Sequence, residues 1–82
     1  MRATDVWDQR TMPAALRGNH RVATGTWGRL RVEGGRVRFR GETQPPLDVV
    51  VSPDAPQPIP PEVEHRVEPL GEARFSVEFL VR

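Results

Sequence analysis

Two histidines and a handful of glutamates are the residues of this chain whose types could do chemistry. His65 stands in PPEVEHRVEP, residues 60–69, with Glu64 before it and Glu68 three positions on; His20 closes MPAALRGNH, residues 12–20. A neutral imidazole gives a divalent ion one nitrogen. Structural metal sites usually use four protein ligands and catalytic sites three plus water, so His20 and His65 need a carboxylate to hold zinc, iron, manganese or nickel. Glu68 is the nearest candidate in sequence, giving the ligand set His20, His65 and Glu68. Strand parity opposes it, because residue i+3 faces away from residue i, and Glu64 has the same defect. Glu78 lies opposite the apolar face of its own strand. The alternative for both histidines is an ordinary hydrogen-bonded role on a small β protein. If they do bind a metal, it should be released below about pH 6, since ligating histidines must be neutral. No serine lies beside a histidine base, cysteine is absent and phosphate-loop spacing is missing, so no catalytic residue is assigned.

The rest of the composition says what must position these groups. A chain of 82 residues is expected to form one domain, residues 1–82. A chain this short hides only about 60% of the surface its unfolded form exposes, and such domains usually need a disulfide, a metal or a partner subunit. With no cysteine, a metal or a second copy remains, and a homodimer is expected. The N-terminal MRATDVWDQR mixes charged and apolar residues, unlike a signal peptide, and no window approaches a membrane span. A cytoplasmic protein without a membrane partner is the expectation.

Charge is lopsided. Through Arg40, nine arginines face Asp5, Asp8 and Glu33, whereas from Gly41 onward eight acids face three arginines. One reading is neutralisation of one half by the other across a sheet, which suits the guanidinium fork. The other is a surface for phosphate or another small anion. Nucleic acid is not expected as a partner.

Nine prolines and seven glycines leave no long helical pattern, only a turn or two within MPAALRG. TWGRLRV, residues 26–32, alternates with Leu30 and Val32 on one face and Trp27, Arg29 and Arg31 on the other. RVRFR, residues 36–40, alternates with Val37 and Phe39 inward. The intervening EGGR predicts a hairpin joining these two strands. LDVVV is a short strand, and SPDAPQPIPP reads as an extended, proline-stiffened crossing with Ile59 its one large apolar residue. HRVEP and RFSVEFLV are further strands, the last lining the core with Phe75, Val77, Phe79 and Val81. These elements predict an all-β, small antiparallel sandwich or barrel.

The strings MPAALRGNH, TGTWGRLRVEGG, PPEVEHRVEP and RFSVEF run in order over nearly the whole chain. They resemble the small cupin-like domain found at the N-terminus of some TehB tellurite-resistance methyltransferases and as stand-alone YeaR-like proteins. The resemblance implies a cupin-type double-stranded β-helix and a role in stress or oxyanion response; methyl-donor machinery has no counterpart here. It also implies two metal motifs. Against the first, His-x-His followed by Glu and Gly, His20 takes the first histidine's place when counted from Gly34, with Val22 and Trp27 at the other ligand places; counted from Gly35, His20 misses by one. Against the second, Pro-x-Gly-x-x-His, Pro60 and His65 are in register and Glu62 replaces the glycine. Three functions stay open: a binding module for a metal or small anion, a metal-dependent dioxygenase- or isomerase-like enzyme using His20 and His65, and a structural dimer with a vestigial pocket.

Overall fold

The structure, a computed structural model, describes residues 2–18, 21–22 and 25–80. His20 and Val81 lie outside the described residues. Among the described residues, eight strands form two antiparallel sheets. β8 (Arg74–Leu80) is central in the first. β3 (Trp27–Gly34) lies on one side of it with β6 (Gln57–Ile59) beyond, and β1 (Arg2–Ala3) and β2 (Trp7–Asp8) share its other side. In the second sheet β4 (Val37–Gly41) runs between β5 (Leu47–Val51) and β7 (His65–Pro69). A 3-10 turn, Ala14–Arg17, is the one described helical element, where MPAALRG predicted a turn.

The alternation read from the sequence decides which side chains face inward. Leu30 and Val32 from β3, and Phe75 and Val77 from β8, meet Val37 and Phe39 from β4 and Val67 from β7 in one core, with Leu30, Val37 and Phe75 fully buried. A small antiparallel β sandwich results, as the pattern predicts.

The expected hairpin between residues 26–32 and 36–40 is not formed. β3 pairs with β8 and β6, and β4 pairs with β5 and β7. The glycines carry the chain from one sheet to the other. A two-residue hairpin turn needs positive φ at its first central residue, and in type I′ at both, but of Gly34 and Gly35 only Gly35 has it, at φ 72°. Close approach is the second reason for that glycine: a Cβ there would overlap the Glu72 carbonyl and stand 2.9 Å from Ala73 Cα.

The proline-rich crossing is more ordered than the sequence suggests. Gln57–Ile59 pairs with β3 and buries Ile59. Gly28 admits it, since a Cβ at that position would stand 3.2 Å from Ile59 Cβ. β6 has no strand beyond it among the described residues, and a proline is tolerated on such an edge.

The charged halves do meet across the sheets. Arg29 Nε donates to Glu78 Oε1 at 2.7 Å, and Arg31 approaches the same oxygen at 3.7 Å. Arg38 grips both oxygens of Asp48, at 2.9 and 2.7 Å. Arg40 reaches Glu68 at 3.4 Å and Arg21 reaches Glu64 at 3.1 Å. Each pair joins a first-half arginine to a second-half acid. No described helix is long and apolar enough to cross a membrane.

Candidate functional site

β7 begins at His65, and the turn before it determines where the ring goes. Glu62 adopts a left-handed backbone, φ 62°, a conformation glycine takes freely and other residues rarely adopt. Its N–H donates to the Val22 carbonyl at 3.0 Å, and the Glu42 N–H donates to the Glu64 carbonyl at 2.8 Å. These bonds turn the chain sharply into β7, where His65 and Val67 face inward and Arg66 and Glu68 face solvent.

His65 is buried, with 3% of its surface exposed. Its partner across the ladder is Gly41, which has no side chain. The Phe39 ring lies beside that position, with Cε1 3.5 Å from where a Gly41 Cβ would stand, an ordinary contact. It stacks on the imidazole, centroids 5.5 Å apart and planes 29° from parallel. His65 Nδ1 lies 3.2 Å from the Val63 carbonyl oxygen. A carbonyl only accepts, so Nδ1 carries a proton toward it.

This side chain borders a cavity of about 200 Å³ between the sheets, walled by Trp7, Leu16, Val22, Ile59, Val77 and Phe79 among others. Thr4 is the other polar lining residue, and its hydroxyl accepts from the Val77 N–H at 3.0 Å while donating to the Asp5 carbonyl at 2.9 Å. His65 is therefore the one titratable side chain among the described residues of the lining.

The structure does not bring Glu68 to His65. Glu68 points from the opposite face of β7 toward Arg40. Glu64 pairs with Arg21, and Glu78 is buried against Arg29 on the outward face of the first sheet. Among the described residues no three of His, Asp and Glu gather as metal ligands. His20 lies outside those residues; Leu16 and Val22, which flank it in sequence, line the cavity.

A second, open groove of about 410 Å³ lies on the outward face of the second sheet, bordered by Gln9, Arg38, Arg40, Arg66 and Glu68. Three guanidinium groups gather there.

The cavity walls supplied by Thr4 and Trp7 were not foreseen from sequence. Trp7 packs edge-on against Phe75, centroids 6.2 Å apart, and so ties the N-terminal segment to β8. The Phe39 stack was missed because it depends on β4 pairing with β7 instead of β3.

In sequence, the chain matches the TehB-like domain family over residues 2–77. No curated protein matches it. Among solved structures, TehB from Haemophilus influenzae is similar, with a TM-score of 0.83 and 26% identity over 94% of this chain. This chain spans only 29% of the length of that protein. A protein from E. coli strain K12 shares the fold, with a TM-score of 0.85 and 24% identity over 100% of this chain and 89% of its own.

Proposed function

Because the chain belongs to the TehB-like domain family, we propose that it is a small-ligand-binding module of cupin type, a double-stranded β-helix that does not itself catalyse a reaction. Its setting, on this reading, is a cytoplasmic response to tellurite or related oxyanions, the context of TehB. One observation carries the proposal: an apolar cavity with a single titratable wall residue, His65, among the described residues. An apolar cavity of about 150 Å³ is large enough to hold benzene, and this one measures about 200 Å³. The fitting ligand is a small, neutral, mainly apolar molecule that packs beside the His65 ring.

An anion is a poor occupant of that cavity, since burying a charge without a partner is costly. The small anion expected from the sequence is assigned to the outer groove. There Arg38 and Arg40 are held only by exposed ion pairs, worth about 0–1 kcal/mol each and readily exchanged for another anion.

Titration of ¹⁵N-labelled protein with phenol tests the cavity reading. Phenol should move the amide signals of Ile59, Val67 and Val77, and His65→Leu should weaken binding while the fold is kept. No shift at these amides, or binding indifferent to His65→Leu, would overturn it.

A metal-holding reading, in which His20 and His65 bind a divalent ion as in metal-dependent cupin enzymes, draws support from Leu16 and Val22 lining the cavity on either side of His20 in sequence. The described residues fit a metal poorly, with one imidazole and no carboxylate at the cavity. Elemental analysis of protein purified without added metal, repeated on His65→Ala, separates the readings: metal lost in the variant supports His65 as a ligand, and metal retained or never present opposes it.

A further inference from the structure

Three of the four sheet edges are blunted. β1 and β2 are two residues each, β6 carries Pro58 at its middle, and β7 ends in Pro69 with two charged residues along it. β5 differs. LDVVV has no proline, glycine, lysine or arginine, its single charge is gripped by Arg38, and it pairs only with β4 among the described residues. Val50 leaves 55% of its surface exposed, and Leu47 and Val49 are half-buried against the core. Natural sheets rarely leave so apolar an edge unprotected unless something pairs with it.

The strand's own pattern names the occupant. Opposed residues in an antiparallel pair lie on the same face, so a slip of one residue would set inward residues against outward ones. Slips of two either oppose Asp48 to Asp48 or leave Asp48 unpaired, and each matches only part of the strand. One register pairs all five residues. Val49 meets Val49, Leu47 meets Val51 of the second copy on the inward face, and Asp48 meets Val50 of the second copy on the outward face. We infer that two copies of this chain join through antiparallel β5 strands about a two-fold axis at Val49, making one continuous six-stranded sheet.

Sedimentation velocity over a concentration series, with circular dichroism to confirm folding, tests this through charge. Val50→Asp places a carboxylate opposite Asp48 of the second copy, twice by symmetry, and should weaken the dimer about tenfold. Within its own sheet the new carboxylate faces Arg38, so the monomer should stay folded. Val50→Lys places an ammonium opposite Asp48 of the second copy and should preserve or tighten the dimer. Val49→Cys, the sole cysteine in the chain, should form a disulfide-linked dimer on mild oxidation. A wild-type monomer at every concentration would overturn the inference and leave the edge to another protein's strand. A dimer equally tolerant of both charges, or no crosslink at Val49, would assign pairing to another surface.

Discussion

His65 stacks against Phe39, the two rings 5.5 Å apart at their centroids, with Gly41 facing His65 across the ladder. The imidazole is thus a packed core residue and a cavity wall together. His65→Ala should cost about 1–3 kcal/mol through lost ring contact and an enlarged cavity, measured by urea unfolding. A cost below about 0.5 kcal/mol would place the ring outside the core.

Glu78 keeps only 11% of its side chain exposed and accepts from Arg29 at 2.7 Å, with Arg31 nearby. Removing that carboxylate leaves two arginines together on the sheet face. Glu78→Gln should destabilise by about 1–3 kcal/mol, and a double-mutant cycle with Arg29→Met should return a coupling above about 0.5 kcal/mol. Additive effects would show that the pair contributes nothing specific.

The two-pronged hydrogen bond from Arg38, together with its charge, holds the Asp48 carboxyl below its ordinary value. The folded pKa is depressed, so the pair's contribution is complete above the unfolded value of about 3.9 and fades as pH falls through the folded one. Wild type should therefore exceed Asp48→Asn in stability near neutral pH, and the gap should close as pH falls below about 4. Both groups are exposed, so added salt should shrink the gap. A gap that widens in acid would contradict this sign.

Much of the fold was legible because β3 and β4 each have one wet and one dry face and β8 alternates apolar with polar residues, so a period of two shows in the residues themselves. Partner choice was not. Adjacent glycines between alternating runs suit a hairpin or a step between sheets, and what decides is the contact of Gly35 with Glu72 and Ala73, which are far away in sequence. The strand at Ile59 was hidden because prolines surround it. At the site, strand parity put Glu68 on the face opposite His65, but which of the two faces inward was not legible from HRVEP alone. Nor was the cavity legible, since its walls come from both sheets and the N-terminal segment.

Gly35 and Gly71 both have positive φ, at 72° and 78°, but nothing lies within 4 Å of a Cβ built at Gly71. Gly71→Ala should cost about 1 kcal/mol, for backbone strain alone. Gly35→Ala should cost about 2–4 kcal/mol, because the methyl also displaces the 72–73 turn. Equal costs would show that crowding at Gly35 is unimportant.

Glu62 adopts a left-handed backbone without being glycine. Glu62→Gly should relieve that strain and stabilise the domain by about 0.5–1 kcal/mol. Its N–H bond to Val22 survives the change, so a large fall in melting temperature would show that the Glu62 side chain matters more than its backbone.

The most direct measurement is the ¹⁵N signal of the His65 ring, followed by long-range proton–nitrogen correlation as phenol is added. The ring signals should shift as phenol enters the cavity beside His65, while Nδ1 stays protonated toward Val63. Ring signals indifferent to phenol would contradict His65 as a wall of the ligand cavity.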